Sequence, residues 1–329
     1  MRMKRIVLSF LLILVISQIK AQPLAQRLDS LLSNDPMLRT SEVGITVFDL
    51  TTGESLFQYQ DEKLYRPAST EKVVTSVTAL ATLGLDYTMD TRLQYTGKIE
   101  NDTLKGNLYL VGGFDPEFMD EDLDSLVDVI AQSGIRYIAD TLAADVSMMD
   151  SVYWGNGWSW DDVPDSFQPY MSPLMLNRGC VDVTVIPAEK DSLPIIECVP
   201  ASDYYQVDND GVSNNPQAGN LRITRNWLHN GNLIHVSGNV SKKTTRTLSI
   251  YTSKDFFFHT FINRLKEKGI EANTTAFADC PENDSLRVVS PLFTLQRPIG
   301  EVLTQMMKES DNLCAESMFY HLALHYAQK

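Results

Sequence analysis

Arg66-Pro-Ala-Ser-Thr-Glu-Lys-Val-Val-Thr75 sets Ser69 three residues ahead of Lys72, where an apolar-periodic stretch begins. Pro67-Ala68 is expected to keep the approach extended, and Val73, Val74, Val77, Leu80 and Leu83 follow at helical spacing before Gly84, a residue suited to end a helix. Residues three apart on a helix share a face, so the Lys72 amine reaches the Ser69 hydroxyl and can take its proton without a histidine. The plainer reading makes Ser69 a helix cap with Glu71 and Lys72 on the solvated side. A second Ser-x-x-Lys, Ser17 to Lys20, falls in an N-terminal targeting segment and is set aside.

That segment carries Arg2, Lys4 and Arg5, then an apolar run from Ile6 to Ile16 broken at Ser9, then small and polar residues to Ala21. The layout is that of a secretory signal peptide over residues 1–21, too short to remain as a membrane span, with no cysteine after Ala21 to take a lipid. A periplasmic protein with no stable membrane span is expected. A formal net charge of −14 excludes nucleic acid as a favoured partner, and 43% hydrophobic residues are ample for a core in a chain about two domains long.

Cys180, Cys198, Cys280 and Cys314 lack C-x-x-C spacing and are few for this length, so disulfides are allowed but not implied. Cys314 falls inside a helical pattern as a small buried residue. His321 and His325 are four apart, but Leu322 stands where a zinc-protease motif needs glutamate, which leaves a plain core or surface role. No metal or cofactor is expected, since there is no phosphate loop, dinucleotide fingerprint or Gly-x-Ser-x-Gly elbow.

Along the chain, a helix at Leu24–Leu32 and a hairpin of Val43–Leu50 with Glu54–Tyr59 precede the Ser69 helix. From about Asp90 short strands are expected at Arg92–Tyr95, Leu104–Val111, Tyr137–Ala143, Cys180–Ile186, Leu221–Trp227, Asn232–Ser237 and Thr247–Tyr251. Turn signals at Gly112-Gly113, Asp208-Asn-Asp-Gly211 and His229-Asn-Gly231 separate them, and helices Leu123–Gln132 and Phe256–Lys268 interrupt them. After Ser290-Pro the pattern is helical, with one stripe at Ile299, Val302, Leu303, Met306 and Met307 and a second run from Ala315 to Tyr326.

Ser310-Asp-Asn312 sits at the junction of these last helices, where side chains can converge on a cleft. Ser213-Asn-Asn215 and Ser237-Gly-Asn239 share the tripeptide but lie in a polar loop and on a strand end. Pro67-Ala-Ser-Thr-Glu-Lys72 together with Lys308-Glu-Ser-Asp-Asn-Leu-Cys-Ala-Glu316 resembles the active-site serine penicillin-binding proteins and serine β-lactamases, whose third motif is Lys-Thr-Gly. The insertion of more than two hundred residues between the two motifs is similar to that of the low-molecular-mass class C D-alanyl-D-alanine carboxypeptidases/endopeptidases. Gly106-Asn-Leu-Tyr-Leu-Val-Gly-Gly-Phe-Asp-Pro116 and Gly157-Trp-Ser-Trp-Asp-Asp162, leading to Ser172-Pro-Leu, agree, and the likeness runs from about Gln26 to Ala327.

The resemblance implies an α+β fold. A penicillin-binding, transpeptidase-like domain of antiparallel sheet and helices would occupy residues 22–88 and 288–329. The large, mostly β insertion would comprise domain II (89–179 and 246–287) and domain III (180–245). Phe114 departs from the family's usual glycine in its Gly-Asp-Pro turn. No Lys-Thr-Gly or Lys-Ser-Gly occurs, so the chain reads as a C-terminally truncated copy of a longer protein, with a partial site.

For that site the resemblance implies Ser69 as nucleophile and Lys72 as base, the latter needing an uncharged amine. Ser310 would pass the proton to the leaving amine, and Asn312 would hold Lys72 and the substrate amide. Asp162 and Phe167 would bind the free amino end of the stem-peptide side chain. Peptidoglycan stem peptides are the implied substrates and β-lactams the covalent inhibitors. A serine β-lactamase or esterase of the same fold, or a non-catalytic wall-binding module, are the competing readings.

Overall fold

The computed structural model describes residues 23–282 and 288–327. The signal peptide expected over residues 1–21 lies outside the described residues. The chain divides into two compact units, one ending at Ala68 and one starting at Ser69.

In the first unit, helix α1 (Leu24–Asn34) turns Leu32 inward. Strands β1 (Ile45–Asp49) and β2 (Glu54–Tyr59) pair antiparallel, Val47 opposite Phe57. The expected hairpin is present. Its turn closes because the Asp49 carboxylate accepts the Thr51 N–H at 2.8 Å, an Asx arrangement that Thr-Thr-Gly permits.

The second unit opens with α2 (Glu71–Leu83), ended by Gly84 at φ +87. Its apolar stripe is not the packed face: Val73, Val74 and Val77 are 49%, 66% and 62% exposed, while Lys72, Ser76 and Ala79 are buried. Small and polar residues face inward because another helix approaches there closely, as described below.

Next come β3 (Thr88–Thr96), β4 (Lys98–Glu100), β5 (Thr103–Lys105), β6 (Leu108–Val111), α3 (Asp120–Gln132) and β7 (Tyr137–Asp145). The single strand expected over Leu104–Val111 is two. The backbone of Thr96-Gly97 crosses at Gly106, where a Cβ would stand 2.0 Å from the Thr96 carbonyl oxygen, so only glycine fits and the ladder breaks.

Two three-stranded sheets follow among the described residues. They are built from β8 (Cys180–Ile186), β9 (Ile195–Val199), β10 (Gln206–Ser213), β11 (Arg222–Arg225), β12 (Leu233–Val240) and β13 (Thr244–Ser249). Asp208-Asn-Asp-Gly211, expected to turn, instead runs straight inside β10, paired in parallel with β12 from Gln206 to Ser213. A continuous ladder outweighs the turn preference of these side chains.

Helix α4 (Ser253–Glu267) then buries Phe256, Phe257 and Phe261 in one large core. That core also holds Leu123, Leu126 and Ile130 of α3, Leu93, Leu108 and Leu142 of the sheet, and Val181, Val183 and Val236. Strand β14 (Glu271–Phe277) lies parallel to β7, and β15 (Val289–Pro298) antiparallel to β3, completing a seven-stranded sheet among the described residues. The helical pattern expected after Ser290-Pro therefore begins only at α5 (Ile299–Lys308), followed by α6 (Asn312–Ala327). Prolines 291 and 298 are tolerated in β15 because it is an edge strand.

A second core fixes the last helices around α2. Ala79 of α2, Met89 of β3, Val302 and Met306 of α5, and Cys314 and Met318 of α6 pack together, each fully buried. Arg297 anchors the start of α5 by reaching Asp115 at 3.1 Å, Asp122 at 2.9 Å and Glu301 at 3.1 Å. All four cysteines are free, and Cys314 is buried as expected.

His321 of α6 takes the core role. Its Nδ1 is 2.8 Å from the Tyr87 hydroxyl, and burial pushes its pKa down to about 4. The unfolded chain binds a proton near 6.5 that the buried ring refuses, so the stability from the neutral ring is complete above 6.5 and lost as pH falls towards 4. Between pH 7 and pH 4 the wild type is expected to lose about 3 kcal/mol more stability than His321→Gln. Urea unfolding across that range checks it, and parallel pH profiles would contradict it.

Candidate active site

Ser69 lies exposed in the short turn Ala68–Thr70 immediately before α2. The approach is not extended: Ala68 sits at φ +46, in the left-handed region that non-glycine residues enter at a cost. Lys72, the second residue of the helix, is only 8% exposed. Its Nζ is 3.2 Å from Ser69 Oγ and donates to Asn312 Oδ1 at 2.8 Å. Ser69, Lys72 and Asn312 are therefore brought together, the last from a position 240 residues further along the chain than Lys72. Ala79, with no side chain beyond Cβ, lets α6 come near enough for this bond.

Ser310 occupies the junction between α5 and α6 at φ +56, exposed to solvent. Its hydroxyl has no hydrogen bond to Ser69 or Lys72 among the described residues. Asp311 between them caps α6: its Oδ1 accepts the Cys314 N–H at 2.8 Å, and its Oδ2 accepts from Arg178. Phe167, 51% exposed, lines a crevice of about 330 Å³ shared with Met119, Arg178, Thr247 and Asp311. Asp162 stands in the turn Trp160–Asp162 and is not on the lining of that crevice.

Two acidic groups complete the surroundings and were not singled out from sequence. Glu316 follows Asn312 by one helical turn; burial raises its carboxyl pKa while the Lys72 charge pulls it down. The i, i+4 spacing from Asn312 within Asn-Leu-Cys-Ala-Glu was a usable signal for it. Glu117 pairs with Arg178, and its Oε1 accepts from the Cys314 thiol at 3.5 Å. Burial pushes that thiol pKa far above its usual value, so it stays protonated and inert.

Chemically, a hydroxyl held against a sheltered amine, with an amide fixing the amine from the other side, is what nucleophilic attack on a carbonyl requires. The positive end of the α2 dipole lies beside Ser69, where it would favour a developing oxyanion.

One family profile matches residues 24–329, nearly the whole chain. The chain belongs to the D-Ala-D-Ala carboxypeptidase 3 (S13) family. Within reach of this S13 chain, D-alanyl-D-alanine carboxypeptidase DacB of Haemophilus influenzae is 26% identical over 297 residues, covering 88% of the chain and 60% of that protein. D-alanyl-D-alanine carboxypeptidase of Actinomadura sp. is 26% identical over 306 residues, covering 90% and 56%. The crystal structure of penicillin binding protein 4 from Haemophilus influenzae superposes with a TM-score of 0.70 at 26% identity, covering 87% of the chain and 63% of that structure. The chain thus spans between 56% and 63% of the length of these relatives. The family and the fold class expected from the two serine motifs are both borne out.

The Lys72–Asn312 bond has a measurable worth in this S13 chain. Asn312→Leu leaves a buried amine one partner short and is expected to cost about 1–3 kcal/mol, and Lys72→Met strands the amide oxygen in turn. Lys72→Met with Asn312→Leu, which removes both partners, should recover much of that loss. Denaturant unfolding of the singles and the double tests this; strictly additive losses would show that the bond contributes nothing.

Proposed function

We propose that the protein is an exported, periplasmic serine-type D-Ala-D-Ala carboxypeptidase, with endopeptidase activity on cross-links, that acts on peptidoglycan stem peptides and is acylated by β-lactams. The observation that carries this reading is the Lys72 amine held between Ser69 Oγ at 3.2 Å and Asn312 Oδ1 at 2.8 Å. The names of the S13 relatives supply the substrate class.

In the proposed reaction Ser69 Oγ bonds to the carbonyl carbon of the penultimate D-alanine while its proton passes to an unprotonated Lys72. The peptide C–N bond then breaks as Ser310 hands a proton to the departing amine, and Lys72 reprotonates Ser310. Water cleaves the ester and frees Ser69. Asn312 keeps Lys72 and the substrate amide in register. Asp162 and Phe167, on the inserted segment, are assigned to the amino end of the stem-peptide side chain, where a carboxylate complements an ammonium. In this proposal residues 22–88 and 288–329 form the penicillin-binding domain, with domains II and III inserted between them.

β-Lactams react at the same serine, but the amine stays tethered to the adduct, which keeps the site acylated. Protein of full natural length is expected to form a long-lived covalent adduct with fluorescent penicillin, Ser69→Ala none, and Lys72→Ala at least about a hundredfold more slowly. Denaturing gels over time read the result. Equal labelling of wild type and Ser69→Ala would overturn the assignment, and rapid turnover of a chromogenic cephalosporin would favour a β-lactamase.

A further inference from the structure

We propose that Arg178 is a positioning residue for the Ser310-Asp311-Asn312 junction, a guanidinium on the inserted segment that fixes the carboxylate capping the helix which carries Asn312. The proposal rests on the site assignment above and adds a residue outside its motifs.

Arg178 is delivered by an unusual backbone. Asn177, Arg178 and Gly179 are all left-handed, with φ of +44, +62 and +70. Two of the three are not glycine, a conformation that persists only where its surroundings hold it. Here they do. The Asn177 N–H donates to the Phe118 carbonyl at 3.0 Å, Gly179 N–H to Leu176 at 2.9 Å, and the Gly179 carbonyl accepts from Ile250 at 2.9 Å. A Cβ at Gly179 would lie 2.4 Å from Ser253 Oγ and 2.8 Å from Met175 Cε, so the turn is pinned against α4.

From this rigid turn the guanidinium forks to two carboxylates, Nη1 to Glu117 and Nη2 to Asp311. Burial works against its charge, yet Asp311 and Glu117 outweigh that cost and push its pKa up. Glu117 is itself fixed, its N–H donating to Asp115 Oδ1 at 2.9 Å and its carbonyl accepting from Arg297 at 3.2 Å. Side chains of Arg178, Glu117 and Asp311 are about one-fifth exposed, at 22%, 22% and 19%, so solvent screens the pairs less than it would at an open surface.

The two oxygens of Asp311 are divided between tasks. One accepts from Arg178 Nη2 and the other caps the Cys314 N–H at 2.8 Å. The cap fixes where α6 begins, Asn312 is its first residue, and Asn312 Oδ1 holds Lys72 at 2.8 Å. Because its planar guanidinium is held by Glu117 at Nη1, the direction in which Nη2 meets Asp311 is set as well, which a lysine ammonium cannot do. Arg178 acts through Asp311 and Asn312, not on the reacting atoms.

The test uses protein of full natural length carrying Arg178→Gln, Arg178→Lys, Asp311→Asn, or Arg178→Gln with Asp311→Asn. Benzylpenicillin acylation at saturating drug is expected to slow about ten- to a hundredfold in Arg178→Gln, the cost of a displacement near 1 Å at the site. The pH profile should shift as Lys72 loses its fixed partner, Arg178→Lys should recover only part of the rate, and Asp311→Asn should add little to Arg178→Gln. Wild-type rate and pH profile in Arg178→Gln, or fully additive losses in the double variant, overturn the proposal. Should Arg178→Gln fail to fold, Arg178→Lys decides on the same two readouts. Hydrogen exchange separates this from the functional reading: amides from Asn312 to Cys314 should exchange faster in Arg178→Gln whether or not the wild type is acylated. Unchanged exchange there counts against Arg178, whereas a wild type that penicillin does not label counts against the peptidase assignment alone.

Discussion

A single hydrogen bond, Lys72 Nζ to Asn312 Oδ1, joins two helices that the chain makes at opposite ends of its second unit. Everything nearby is arranged so that it can form. α2 turns its small residues, Ser76 and Ala79, towards α6, and Ser76 Oγ returns a bond to the Lys72 carbonyl at 2.8 Å. Met89, Met306 and Met318 fill the remaining space, a use suited to a flexible thioether in an irregular gap.

Around that contact, charge is handled by arginines that each serve several acids. Arg297 gathers Asp115, Asp122 and Glu301, Arg264 takes Asp120 and Asp124, and Arg178 takes Glu117 and Asp311. In a chain with 42 acidic residues and 28 basic ones, such sharing lets few cations serve several carboxylates, whereas buried Asp145 is held by the N–H groups of Ser147 and Cys280 instead. Compensation is not complete everywhere: burial still pushes the Asp115 carboxyl up to about 6 despite Arg297.

The sequence made the local elements legible where one signal dominated. Cys180–Ile186 reads correctly to the residue because its alternation matches its burial, and α2 reads correctly because a periodic run ends in glycine. The inward face of α2 did not read, since apolar Val73, Val74 and Val77 outscore the small residues that in fact meet α6. Strand β15 was hidden by its prolines, and β10 by residues that favour turns in isolation. Ser69, Lys72 and Asn312 were visible as motifs. Arg178 was not, because its position comes from three left-handed residues and has no spacing to match. Phe114 shows the same limit: it occupies φ +45 where the resembling family uses glycine, and its ring is accommodated in a core with Met171, Met175 and Leu313.

The pairing of β3 with β15 sets the order in which this protein can assemble. Thr96 meets Val289 and Thr88 meets Pro298, a closure spanning roughly two hundred residues whose entropy must be met before the contacts reward it. Until β15 docks, α5, which follows it directly, has no fixed origin. Any structure formed within the inserted segment shortens that span, much as splicing a rope brings its ends within reach. The bond from Lys72 to Asn312, unlike the local contact of Ser69 with Lys72, depends on that closure.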